Sequence, residues 1–124
     1  MANIKSFKDL LVWQKAHQLV LEVYRLTRSF ASNEMFGLTS QLRRAVVSVA
    51  SNIVEGFTRL SVHDSLHFYN IADASLEEVR YQLLVAYDLG YLKNQEHNDV
   101  IALAEEVSKM LKSWIKSQVQ NSKA

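Results

Sequence analysis

Apolar residues recur every three or four positions along this chain, and no stretch alternates, so the pattern predicts helices rather than strands. The clearest stretch runs from Gly37 to Arg59, where Leu38, Leu42, Ala45, Val46, Val49, Ile53 and Phe57 share one face. The opposite face carries Gln41, Arg44, Ser48, Ser51, Asn52, Glu55 and Arg59. A solvated helix face is normally built from Lys and Glu. This one is short, hydrogen-bonding and uncharged in its middle, so it is expected to be partly buried against other protein.

Three further helices flank it. Ser6 to Asp9 has the spacing of a capping box and opens a helix that runs to Phe30. Its stripe is Val12, Ala16, Leu19, Val20, Val23, Leu26, Thr27 and Phe30, widened by Trp13 and Tyr24. Residues 31–36 break the pattern and form a short connection. Ser61 to Asp64 is a second capping box, opening a helix over 62–89 that has two seams. Tyr69, Ala72, Leu76, Val79, Leu83 and Ala86 make the first seam; Phe68, Ile71, Ser75, Glu78, Gln82, Val85 and Leu89 make the second. A helix with two such sides is central to its domain or shared with another subunit. Gly90 stands where a left-handed cap is expected, and Asn94 is expected to cap a fourth helix over 95–119. The stripe of that helix is Val100, Leu103, Ala104, Val107, Met110, Leu111, Trp114 and Ile115, and the tail QNSKA is expected to fray. The fold class is therefore all-α, an antiparallel up-down-up-down four-helix bundle occupying residues 1–124 as one domain.

Composition narrows the classes without changing the fold. With 48% hydrophobic and 22% charged residues the chain is neither disordered in character nor membrane-spanning. It has no cysteine, which excludes disulfides and thiolate metal sites. Proline is absent and glycine occurs only at 37, 56 and 90, so long helices are permitted almost throughout. The start MANIKSFKDL lacks the apolar run of a signal peptide, which predicts a cytoplasmic protein.

With the turn between the second and third helices near residue 60, facing positions sum to about 121. Arg44 then faces Glu77 or Glu78, Ser48 faces Asp73, and Asn52 faces Tyr69. The expectation is an Arg44–Glu78 ion pair in a layer with Ser48, Asn52 and Ser75. Such a layer fixes register and partner more than it adds stability.

These residues also carry a resemblance. Leu38-Thr39-Ser40-Gln41-Leu42-Arg43-Arg44-Ala45, then Ser48, then Ser51-Asn52-Ile53-Val54-Glu55-Gly56, is similar to the signature of the S23, or 23S rRNA intervening-sequence, proteins. The reading frames of that family were first noticed in insertions within bacterial 23S ribosomal RNA genes. The likeness extends through Leu11-Val12-Trp13-Gln14-Lys15-Ala16, and through Phe68, Ile71-Ala72, Ser75-Leu76, Glu78 and Leu89-Gly90-Tyr91-Leu92. In two places the chain departs from the family: positions 31 and 50, often proline there, are alanine here. The resemblance implies a four-helix bundle assembled as a homopentameric ring, in a family for which no catalytic activity is established. More distantly it resembles the accessory variability proteins of diversity-generating retroelements, which bind nucleic acid and a reverse transcriptase.

The net charge of +1 argues against a strongly basic nucleic-acid binder, but the bundle topology sorts charge by end. One end gathers Lys5, Lys8, Lys15, Arg59, Lys109, Lys112, Lys116 and Lys123 against Asp9, Glu55, Asp64 and Asp73. His17, His63 and His67 lie there too, and the opposite end has a net negative balance. Repeated around a ring, the basic end is a phosphate-attracting surface; alternatively, its lysines complement the macrodipole of the last helix. His63, His67 and Asp64 lack a clear further ligand, so no metal is expected. Trp13, Trp114, Tyr24, Tyr81 and Tyr87 have the spacing of core or subunit contacts, with base stacking as the other reading.

No nucleophile has a placed base and no glycine-rich loop cradles a phosphate, so neither enzyme activity nor a cofactor is expected. The sequence reads as a non-catalytic interaction module without membrane contact. Its polar layer or subunit interface is Gln41, Arg44, Ser48, Asn52, Glu55, Ser75 and Glu78, and its nucleic-acid contacts are Lys5, Lys8, Lys15, Arg59, Lys109, Lys112 and Lys116. The alternatives are a scaffold for a genetically neighbouring protein partner, or an insertion-encoded protein with a structural role only.

Overall fold

Four α-helices account for most of the computed structural model, which describes residues 4–122. They are α1 (Leu11–Thr27), α2 (Leu38–Thr58), α3 (Val62–Asp88) and α4 (Asn94–Ser122), with no strand among the described residues. Each helix packs against the next, and α4 returns to α1. The apolar stripes meet in the middle: Leu19, Val23, Leu42, Val46, Leu76, Leu83, Val107 and Leu111 are fully buried. Burying each such side chain contributes about 1.5–3 kcal/mol before the entropy of ordering is counted. No helix of the described residues is long and apolar enough to cross a membrane.

The helix ends differ from expectation in instructive ways. Ser6 and Asp9 form the capping box, but it closes a single 3-10 turn, Phe7–Asp9. Leu10 then turns extended and is buried, and α1 starts only at Leu11. An apolar side chain with a place in the core has overridden helix continuation. At the other end, α3 stops in a Schellman motif. Gly90 has φ +83°, its N–H donates to the Tyr87 carbonyl, and Tyr91 N–H donates to Ala86. Asn94 does not cap α4. It is the first helical residue and its side chain accepts from the Tyr87 hydroxyl, while Glu96 takes the Lys93 N–H at 2.9 Å. The C-terminal helix continues to Ser122, past the expected fraying point.

The α2–α3 pair is the most extensive in the molecule. Ser48 Oγ lies 2.8 Å from Ser75 Oγ, and a Cβ on Gly56 would collide with the Tyr69 ring. Residue numbers thus rise along α2 as they fall along α3. The pairing is shifted two residues from expectation, with Ser48 meeting Ser75 rather than Asp73. The physical reason is that each side chain leans toward its own helix N-terminus. A contact is therefore made by residues about one position further along each helix than the backbone level suggests.

Candidate interaction surfaces

The polar layer forms with fewer members than expected. Ser48 and Ser75 share a hydrogen bond, and Asn52 Nδ2 donates to Ser48 Oγ at 3.0 Å and to its carbonyl at 2.8 Å. All three residues are half-buried. The expected Arg44–Glu78 ion pair is absent among the described residues, because both side chains project outward and are exposed. Glu78 accepts only a long contact of 3.4 Å from Gln82 Nε2. Glu55 leaves the layer to pair with Arg59, and Gln41 is exposed. In the second seam of α3, Gln82 is buried and Phe68, Ser75 and Val85 are half-buried. Ile71, Glu78 and Leu89 are exposed.

The cations expected at the basic end divide into engaged and free ones. Lys15 bridges to Glu106 at 3.2 Å and Lys112 to Asp73 at 3.2 Å, each tying together two helices. Arg59 pairs with Glu55 and also lies 4.4 Å from the Phe68 ring centroid. Lys5, Lys8, Lys109 and Lys116 are exposed and in no ion pair among the described residues. Lys123 lies outside the described residues. Asp9 is held below the ordinary carboxylate range by the N–H groups of Lys5 and Ser6, so its charge is turned inward onto the cap. Between the start of α1 and the end of α4 lies an apolar groove of about 460 Å³. It is lined by Ile4, Leu11, Met110 and Trp114, with Lys109 on its edge.

A second groove, about 710 Å³, runs beside α2 and is lined by Tyr24, Met35, Phe36, Arg44, Val47 and Ser51. Phe36 is 96% exposed there, and Met35, Val47 and Tyr24 are exposed as well. Arg43, on the same wall, stacks on Tyr24 at 4.7 Å and donates to the buried Thr27 hydroxyl at 2.8 Å. Sequence reasoning named Arg43 only within the family signature and gave it no partner, since that partner lies 16 residues away. It missed Glu34 too. That carboxylate accepts from Tyr91 OH at 2.9 Å and lies 3.4 Å from Leu38 N, placing negative charge at the α2 N-terminus. The Tyr91 phenol is pushed up from its ordinary range by that bond.

The histidines at the basic end do not converge. His63 is exposed 3.6 Å from Asp64, His17 stacks on Trp13, and His67 packs edge-on to Phe68. No group of three or more potential metal ligands occurs among the described residues.

An all-α four-helix protein with an uncharged polar layer between α2 and α3 and open grooves on its surface is the class that this geometry defines. The model of the 23S rRNA-intervening sequence protein family matches residues 8–113, and the chain belongs to that family. Among solved structures, the chain is similar to a protein with unknown function from the S23 ribosomal protein family of Bacteroides thetaiotaomicron VPI-5482. The two are 23% identical with a TM-score of 0.79, over 86% of this chain and 99% of the other. No protein with a curated description matches.

Proposed function

We propose that this chain is a non-catalytic, cytoplasmic, single-domain interaction module: an antiparallel up-down-up-down bundle that assembles as a homo-oligomeric ring of five and associates with RNA or DNA through its basic end. The observation that carries the nucleic-acid reading is the set of exposed cations Lys5, Lys8, Lys109 and Lys116, which form no ion pair among the described residues. Lys15, Arg59 and Lys112 play a smaller part, being engaged with Glu106, Glu55 and Asp73. A ring with its bundles side by side repeats the free lysines on one face, where they attract phosphates and release counterions.

The test is fluorescence anisotropy with mixed-sequence single-stranded RNA and DNA across a salt series. Affinity is expected to fall with salt, and Lys109→Glu with Lys116→Glu to reduce the log–log slope by about 0.7 for each phosphate no longer neutralised. Binding insensitive to salt would remove this end as the site.

A protein-binding scaffold is the second reading, favoured by the apolar groove of Ile4, Leu11, Met110 and Trp114 beside the lysines. Such a groove accepts apolar side chains, which phosphates do not supply. Pull-down with nuclease and high salt separates the two readings: a complex surviving both treatments is held by protein.

A further inference from the structure

Arg44 and Glu78 stand on adjoining helices, one turn beyond the Ser48–Ser75 contact on each, and therefore at the same level of the bundle. Both are exposed, and they do not pair with each other. The setting of Arg44 is partly apolar and that of Glu78 is mixed, with Ser75 and Gln82 as its neighbours along the ridge and the exposed Tyr81 one turn away. Arg44 lines the groove with Phe36 and Val47, while Glu78 lies on the outer ridge of α3 between Ile71 and Leu89. Phe36 precedes α2 and Leu89 follows α3, so these two exposed side chains belong to the same end of the bundle.

Resting on the ring-forming reading above, we propose that the groove beside α2 receives the outer ridge of α3 from a second copy, with Arg44 meeting Glu78 of the partner subunit. Two arguments on different grounds identify the occupant. The first is charge: the groove presents an exposed arginine beside Phe36 and Val47, and the ridge an exposed glutamate with exposed apolar side chains at both ends, Ile71 and Leu89. The second is level. Rotation about an axis parallel to the helices moves no residue along that axis, so only residues at one level meet across such an interface. Arg44 and Glu78 satisfy this, and Phe36 meets the Leu89 end of the ridge. The groove and the ridge are different surfaces, so the contact is head-to-tail and closes into a ring, whereas an isologous contact would stop at two copies.

The test is a charge-reversal cycle on the full chain, read by native mass spectrometry and light scattering, with circular dichroism confirming helix content. Wild-type protein is expected as an assembly larger than a dimer. Arg44→Glu and Glu78→Arg are each expected to weaken assembly at least tenfold, and the double reversal to restore it. Phe36→Ser is expected to weaken assembly without touching either charge. If the wild type assembles and all the variants assemble as it does, this interface is wrong while the ring reading stands. Single reversals that weaken assembly without mutual rescue also overturn the pairing. A wild-type dimer overturns the head-to-tail contact, and a wild-type monomer overturns both proposals.

Discussion

Gly56 has no side chain, and the space its Cβ would take is filled by the Tyr69 ring, whose Cε1 would lie 2.4 Å away. Tyr69 is itself buried, packed edge-on to Trp114, and burial pushes its phenol above the usual range. The Tyr69 ring, 2% exposed, cannot retreat without disturbing that packing. Gly56→Ala is therefore expected to destabilise by about 1–3 kcal/mol through overpacking, despite the better helix propensity of alanine. Urea denaturation checks this; an unchanged midpoint would mean that Tyr69 moves freely. Gly56 was legible as a glycine of the family signature but without a packing reason, because its contact lies on another helix. Arg43 and Glu34 were opaque for the same reason: their partners Thr27 and Tyr91 are brought near only by folding.

At the scale of elements, helix ends are governed by short-range chemistry and were read more closely. The Ser6–Asp9 box and the Gly90 cap are both formed. Gly90 has φ +83° with nothing within 4 Å of an added Cβ, so Gly90→Ala meets only the left-handed backbone penalty, about 1–2 kcal/mol. Asparagine there is expected to lose less, and thermal denaturation of the pair of variants ranks them. The Ser6–Asp9 cap gives a pH dependence with a defined sign. The folded pKa of Asp9 lies below its unfolded value, so its stabilisation is full above the unfolded value, about 4, and lost as pH falls through the folded one. Asp9→Asn is expected to flatten that acid limb of stability measured against pH. A limb identical to that of the wild type would assign the acid sensitivity to other groups, such as Glu22, which the Arg25 hydrogen bond also holds low. What the pattern misjudged was continuity: the helix expected from residue 7 is a 3-10 turn, an extended Leu10 and then α1. Local spacing cannot register that Leu10 is wanted in the core.

For the whole molecule, the groove beside α2 and the ridge of α3 leave Met35, Phe36, Val47, Ile71 and Leu89 exposed among polar side chains. If assembly covers them, binding is linked to folding, and the melting temperature is expected to rise with protein concentration. Calorimetry over a hundredfold concentration range checks this, and a constant midpoint would speak for a monomer.

Four helices, their buried stripes and the family signature follow from the order of residues alone, because helix periodicity and capping act over three or four positions. The level at which Ser48 meets Ser75, the outward turn of Arg44 and Glu78, and the division of the lysines into paired and free were decided only by tertiary structure. Those depend on how side chains lean and which helices adjoin, and no spacing along a single chain encodes the distance between residues that folding brings together.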